Sequence, residues 1–209
     1  MITIYGAFPT RSLRVMWALE ELGKEYTIHP VDLRNRMADA EFLALNPSGF
    51  LPAMKDGDVT MVDSIAMLEY LIARYDSKAT LAPAASDASF PRYQQFLHLG
   101  ESGLAAFLNV IVGSKFMAPE GEKDNFGART AERMFENRLA LVKRQLGVAP
   151  MMAGNRFSAA DISVVYALGM AERLGLGDKF GPEIAEYRGR MTDRPAYLRA
   201  NAKWAPKSA

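Results

Sequence analysis

All the β-strand signals lie in the first third of the chain, and this asymmetry strongly constrains the fold. Before residue 76, short apolar runs such as Ile2–Tyr5 alternate with helical periods. The stretch 76–89, DSKATLAPAASDAS, is rich in small and polar residues and predicts a linker. Beyond it, apolar residues recur only at helical spacing. The sequence therefore predicts an α/β domain over residues 1–76, a linker over 77–88 and an all-helical domain over 89–209, with 205–209 fraying.

Within residues 1–76 the predicted order is strand, helix, strand, helix, strand, strand, helix. The strand Ile2–Tyr5 and a second strand over 26–33 flank a helix, so they should be parallel and joined by a right-handed crossover. Asp56-Gly57 is the two-residue signal for a tight hairpin between two further strands. The expected result is a small mixed sheet with helices packed on it.

Composition excludes several classes of function. The chain has no cysteine, so it holds no disulfide, thiolate metal site or cysteine nucleophile, and two histidines are too few for a histidine-rich metal site. The 25 Lys+Arg against 24 Asp+Glu leave a net charge of +1, which gives no general field for nucleic acid or an anionic membrane. Composition does not exclude a carboxylate metal site, but we expect no metal site and no nucleic-acid partner.

The expected location is the cytoplasm. The N-terminal MITIYGAF has neither the basic region nor the long apolar run of a signal peptide. The longest apolar run, residues 103–112, is interrupted by Asn109 and is too short to span a bilayer, so we expect no membrane partner.

Two dipeptides in the segment 46–71 are candidates for binding a ligand. Leu51-Pro52 puts a proline at the start of a strand, and a cis bond there would turn the Leu51 backbone toward an extended ligand. Asp63-Ser64 precedes an apolar helix whose N-terminus suits a carboxylate, while Asp63 suits an ammonium group. Taken alone, an ordinary turn and a helix cap by Ser64 account for them. Together they favour a site for an extended, acidic peptide.

Three hydroxyl groups near the first strand are candidate donors to a bound thiolate. Thr10 and Ser12 lie at the start of the first helix, where a hydroxyl and the helix dipole together would lower the pKa of a thiol. The alternative is that one of them caps this helix. Tyr5 is a rival donor whose alternative role is that of an aromatic strand residue. In the helical half, Ser158 and Asp161 have capping-box spacing, which we interpret as structural.

These segments together resemble the glutathione transferase superfamily. NPSGFLPAM, then DG, then DSIAMLEYLIARY is similar to that family's NPxGxVPxL motif followed by an acid-Ser pair that opens a helix. RSLRVMWALEELG resembles the first helix of bacterial members, and FSAADISVVYAL resembles the capping box and buried helix of their C-terminal domain. The match runs across nearly the whole chain.

The resemblance implies a thioredoxin-like N-terminal domain, an all-helical C-terminal domain and a homodimer. It implies that glutathione, as co-substrate, binds Leu51 ahead of a cis Pro52, and that Asp63 and Ser64 take its γ-glutamyl group. Phe50 stands in the glutathione-binding motif where many members have Lys or Gln. Counting back four positions from the first-helix arginine gives Thr10 in place of the family's serine, so the resemblance is to serine/threonine-type members.

The function implied is a glutathione transferase that activates the thiolate of glutathione for attack on a small apolar electrophile. We expect the electrophile to lie between Phe8 and a helix carrying Leu104 and Phe107. A glutathione-dependent isomerase, lyase or peroxidase would use the same site. A non-catalytic glutathione-binding relative is the alternative outside catalysis.

Overall fold

The structure is a computed structural model that describes residues 1–204, so the predicted fraying of 205–209 lies outside it. The described residues divide into two compact units: residues 1–81 together with 193–204, and residues 82–192. The prediction from the sequence placed the closing helix in the second domain. The structure instead groups this helix, residues 195–204, with the first unit.

The first unit is built on one four-stranded sheet with the order β2-β1-β3-β4. Its strands are β1 (Ile2–Gly6), β2 (Tyr26–Pro30), β3 (Ala53–Asp56) and β4 (Val59–Val62). β1 and β2 are parallel, and β3 is antiparallel to both of its neighbours. This arrangement confirms the predicted parallel pair and the predicted hairpin.

The hairpin turn lies one residue later than predicted. Asp56 pairs with Val59, so the two turn residues are Gly57 and Asp58 and not Asp56 and Gly57. Gly57 has a φ of 58°, which the first central position of a type II′ turn requires and which glycine adopts without a steric penalty. The sequence signal found the hairpin but misplaced its centre.

The described α-helices are α1 (Ser12–Glu21), α2 (Ala40–Leu45), α3 (Ser64–Tyr75), α4 (Phe90–His98), α5 (Ala106–Val112), α6 (Phe126–Leu146), α7 (Ala159–Arg173), α8 (Gly181–Thr192) and α9 (Pro195–Trp204). Short 3₁₀ turns occur at Arg36–Ala38, Glu120–Glu122 and Gly177–Lys179. The described part of the second unit has no strand longer than an isolated bridge between Met151 and Gly154.

The second unit is organised around α7, in which every residue from 159 to 171 is buried. The π-helical segment Leu99–Ala105 joins α4 to α5, and a second, Gly113–Met117, follows α5, so that one helical run extends over Phe90–Met117. By length and composition alone this run of 28 residues is long and apolar enough to cross a membrane, and it extends beyond the apolar run of residues 103–112. Core helices of soluble proteins meet the same criterion, so the finding is weak evidence of a membrane span.

The last helix, α9, is fastened to the C-terminal end of α1 by charged groups. Arg194 donates from Nε and Nη2 to the two carboxylate oxygens of Glu21, at 2.7 and 2.9 Å. Arg199 and Lys203 both donate to Glu20, each at 2.7 Å. The Glu20 side chain is only 10% exposed, so water screens these bonds less than at an open surface.

Acid is expected to weaken this attachment. Burial raises the pKa of Glu20, but the hydrogen bonds from Lys203, Arg199 and Tyr26 outweigh it and lower the pKa below the ordinary 4.5. A carboxyl with a lowered folded-state pKa stabilises the fold above its unfolded pKa and loses that contribution as pH falls through the folded value. We expect Glu20→Gln to cost about 1 kcal/mol at pH 7 and progressively less below about pH 4. Urea unfolding of both proteins across this range measures the difference, and a pH-independent cost would contradict it.

Candidate functional site

Three predicted site segments converge at one edge of the sheet because of the strand register. Ala53, the first residue of β3, pairs with Tyr5 of β1 on one side and with Val62 of β4 on the other. The ends of β1 and β4 therefore lie beside the start of β3. The turn containing Thr10, the dipeptide Leu51-Pro52 and the dipeptide Asp63-Ser64 extend these three strand ends.

The sequence analysis gave capping of α1 by Thr10 or Ser12 as an alternative role, but neither residue caps the helix. The N-cap is Arg11, whose side chain makes no capping hydrogen bond, and Ser12 is the first helical residue. Thr10 Oγ1 donates to the Ala7 carbonyl at 2.5 Å and lies 2.7 Å from Ser12 Oγ. Since Thr10 has one hydroxyl proton, Ser12 is the donor in the second bond. The two hydroxyls form a relay from Ser12 through Thr10 to Ala7.

Of the three candidate donors, only Thr10 has appreciable surface. Ser12 is 0% exposed and Tyr5 is 4% exposed, whereas Thr10 is partly exposed. Ser12 is packed against Gly6, where an added Cβ would lie 2.5 Å from Ser12 Oγ. The absence of a side chain at Gly6 therefore makes room for the relay.

The Tyr5 hydroxyl is poorly suited to donate a hydrogen bond to a thiolate. Its hydroxyl donates to Glu41 Oε1 at 2.6 Å, and that bond together with burial raises the pKa of Tyr5 to about 12. A proton held this firmly by a carboxylate is a poor donor to a second anion.

The Leu51-Pro52 bond is cis, as the resemblance implied, and Phe8-Pro9 is a second cis bond that the sequence did not reveal. Leu51 packs in a buried cluster that also contains Tyr5 and Phe42. The preceding Phe50 is 74% exposed, and its carbonyl accepts a hydrogen bond from Asn46 Nδ2 at 2.5 Å.

Asp63, and not Ser64, caps α3. Its Oδ1 accepts from the backbone N–H groups of Ile65 and Ala66 at 2.8 and 3.0 Å, which leaves Oδ2 available to a ligand. Asp63 also has φ 74° and ψ 116°, an unusual backbone conformation for a residue other than glycine. Strained residues of this kind concentrate at binding sites, so the conformation supports a ligand role for Asp63.

Arg14 is a site residue that the sequence analysis missed. It is 0% exposed, and its Nη1 donates to Ser64 Oγ at 3.2 Å. Because the Ser64 oxygen accepts from a guanidinium group, the Ser64 hydroxyl proton is left for another acceptor. No local signal separates a buried arginine from a surface one within the α1 sequence. Asn46, 4% exposed, was also missed, although an Asn-Pro dipeptide marks a turn.

The predicted electrophile pocket needs one correction. Leu104 is 0% exposed and offers no surface to a ligand, while Phe107 is partly exposed. Phe8 is 37% exposed and lies edge-on to Trp204, with ring centroids 4.5 Å apart. A cavity of about 590 Å³ in the first unit is lined by Phe8, Trp204 and several other apolar side chains, and it reaches Ser12.

Residues 1–204 contain no group of three or more His, Asp and Glu side chains placed to hold a metal ion. The polar groups at this sheet edge are instead a relayed hydroxyl, the backbone of Leu51 next to a cis proline, one oxygen of Asp63 and the Ser64 hydroxyl. Together these groups suit a peptide that carries an ammonium group, a carboxylate and a group that needs a hydrogen-bond donor.

Comparison with known proteins agrees with this geometry. Residues 10–74 match the family described as "Glutathione S-transferase, N-terminal domain". The chain is 32% identical over 182 residues to the glutathione S-transferase-like protein gedE of Aspergillus terreus, covering 78% of this chain and 76% of that protein. It is 28% identical over 211 residues to glutathione S-transferase 3 of Schizosaccharomyces pombe, covering 94% and 85%.

Among solved structures, the glutathione transferase URE2P8 from Phanerochaete chrysosporium, solved with oxidized glutathione, superimposes with a TM-score of 0.85 at 23% identity, covering 97% of this chain and 94% of that one. This likeness confirms the predicted fold class, a thioredoxin-like N-terminal sheet domain followed by a helical C-terminal region. With the sequence identity to gedE over most of both proteins, it follows that the chain belongs to the glutathione S-transferase family.

Proposed function

We propose that the protein is a serine/threonine-type glutathione transferase whose binding site is the sheet edge formed by β1, β3 and β4. The observation that carries this proposal is the pairing of Ala53 with both Tyr5 and Val62, because it gathers three separate segments at one edge. The Leu51 backbone pairs with the cysteinyl part of glutathione beside Pro52. Asp63 Oδ2 takes the γ-glutamyl ammonium group, and the Ser64 hydroxyl donates to the γ-glutamyl carboxylate.

Thr10 stabilises the thiolate by turning its hydroxyl proton from the Ala7 carbonyl toward the sulfur. Ser12 keeps donating to Thr10 Oγ1, which makes the Thr10 proton a better donor. The thiol proton leaves to solvent, and the sulfur lone pair forms a bond to an electrophilic carbon. That carbon loses a leaving group with the displaced electron pair, or the adduct gains a proton.

The cavity beside Phe8 and Trp204 suits an apolar electrophile, because its walls are mainly apolar and it reaches the Ser12 end of the relay. Phe107 stays a predicted contact of that substrate, and the expected cytoplasmic location and homodimer belong to the same proposal. Residues 1–76 act as the glutathione-binding domain, 77–88 as the linker and 89–209 as the helical domain, apart from the packing of α9 described above. An isomerase, lyase or peroxidase would use the same bound thiolate.

A non-catalytic glutathione-binding protein is the second candidate, and one observation favours it. The Thr10 proton is already donated to Ala7, and the protons of Ser12 and Tyr5 are engaged as well. A panel of electrophiles decides between the two candidates. Binding of glutathione without turnover, at a bound-thiol pKa equal to that of free glutathione, would favour this candidate.

The binding site is tested by Asp63→Asn. Asparagine keeps an oxygen to cap α3 but removes the charge that would hold the ammonium group. We expect the Kd for glutathione, measured by calorimetric titration, to rise about tenfold, with the thermal midpoint nearly unchanged. Asp58→Asn, in the hairpin turn at the other end of β4, is the matched control and should leave the Kd unchanged. Wild-type protein that does not bind millimolar glutathione would refute the proposed function.

A further inference from the structure

The helix α2 is tied to the sheet by two carboxylates that flank its start. Tyr5 of β1 donates to Glu41 Oε1 at 2.6 Å, and His29 Nε2 of β2 lies 3.0 Å from Asp39 Oδ2. Tyr5 and His29 are direct register partners in the parallel pair, and their rings stack with centroids 4.6 Å apart. One stacked pair on the sheet therefore holds both carboxylates.

The helix α2 depends on such external contacts. It has six residues, too few for an isolated helix to be stable in water, and Phe42 is its only fully buried side chain. Asp39 is its N-cap and accepts from the Phe42 N–H at 2.9 Å through Oδ1. Because His29 binds the other oxygen of the same carboxylate, it fixes the cap as well as the position of the helix.

Contacts at the end of α2 connect its position to that of the Leu51 backbone. The helix ends at Leu45, and the next residue, Asn46, donates from Nδ2 to the carbonyl of Phe50, one residue before Leu51. Phe42, Leu51 and Tyr5 also share one buried cluster. A shift of α2 would therefore move Leu51 through a hydrogen bond and through side-chain packing.

We infer that Tyr5 and His29 are positioning residues, which hold α2 and through it the Leu51 backbone in the geometry that binds glutathione. The stacked pair fixes α2, α2 fixes Asn46, and Asn46 fixes the segment that ends at Leu51. The attachment of α2 to Tyr5 and His29 is a property of the protein alone. Its effect on the ligand rests on the proposed function.

The first test measures hydrogen exchange of the Phe42–Asn46 amides in the ligand-free protein. We expect exchange to be about tenfold faster in Tyr5→Phe and in His29→Phe, because each variant keeps a ring for stacking and removes one bond to α2. Tyr26→Phe is the matched control, since Tyr26 donates to Glu20 at 3.0 Å and has no bond to α2. Unchanged exchange in both test variants would overturn the inference whether or not the protein binds glutathione.

The second test separates positioning from thiol activation. In Tyr5→Phe we expect the Kd for glutathione to rise about five- to tenfold, while kcat at saturating glutathione and the pKa of the bound thiol stay as in the wild type. A raised thiol pKa with unchanged Kd would instead make Tyr5 the activating donor. If wild-type protein binds no glutathione, the proposed function fails, but the exchange result still shows whether Tyr5 and His29 hold α2 in place.

Discussion

Replacing Thr10 by valine is expected to lower turnover at neutral pH about 25-fold while changing the Kd for glutathione little. Valine keeps the branched shape and removes the one candidate hydroxyl with appreciable surface. If the site lowers the thiol pKa by about two units, it supplies roughly 2.7 kcal/mol of preferential stabilisation to the thiolate. Without the donor, the bound thiol should titrate close to its ordinary value of about 8.5 and not near 6.5, so the thiolate fraction at pH 7 falls from roughly three quarters to about 3%.

The direct measurement is the ultraviolet absorbance of the thiolate during a pH titration of the glutathione complex. The midpoint of the thiol titration should rise by about two pH units in Thr10→Val. It should stay near the wild-type value in Thr10→Ser, which retains the hydroxyl. Ser12→Ala removes only the donor behind Thr10, so its midpoint should rise by less than one unit. An unshifted midpoint in Thr10→Val would mean that another group stabilises the thiolate.

The fold was predictable where short-range signals agree with long-range packing. The alternating run at Ile2–Tyr5 and the capping box at Ser158 appear in the structure as predicted, because each is specified by neighbouring residues. The packing of α9 was not predictable. It depends on Glu20 and Glu21 meeting basic side chains more than 170 residues away, and a charge on a helix surface does not identify its partner.

At the site, residue types were easier to predict than the direction of each hydroxyl. The sequence identified Thr10, Ser12 and Tyr5 as hydroxyl donors, but all three protons are engaged by Ala7, Thr10 and Glu41. These partners are set by backbone carbonyls and by tertiary contacts. The capping role expected of Ser64 likewise belongs to Asp63, because a one-residue shift of the helix start transfers the cap from one side chain to the next.

The largest expected effect on stability is at Asp161, which is fully buried in the second unit. Its Oδ1 accepts from the Met152 N–H at 2.9 Å and from the Tyr187 hydroxyl at 2.7 Å. Its Oδ2 accepts from the N–H and the hydroxyl of Ser158 at 2.9 and 3.1 Å. One carboxylate therefore joins the start of α7, the segment before it and α8.

Asp161→Ala is expected to lower the free energy of unfolding by about 3–5 kcal/mol, because it leaves several buried donors without an acceptor. Asp161→Asn should lower the free energy of unfolding by less, since its amide oxygen can still accept the hydrogen bonds made to one of the two carboxylate oxygens. Tyr187→Phe removes a single bond and should cost about 1–2 kcal/mol. The exposed Asp178→Ala, in the same unit, is the control and should stay within about 0.5 kcal/mol of the wild type.

Urea unfolding followed by circular dichroism gives these values if the slopes match the wild type. The double variant Asp161→Ala with Tyr187→Phe provides the decisive comparison. Once the carboxylate is gone, the Tyr187 hydroxyl is a buried donor without an acceptor, so its removal should cost nothing further or restore stability. Additive losses in the double variant would show that the two side chains stabilise the unit independently, against the network that the bond lengths describe.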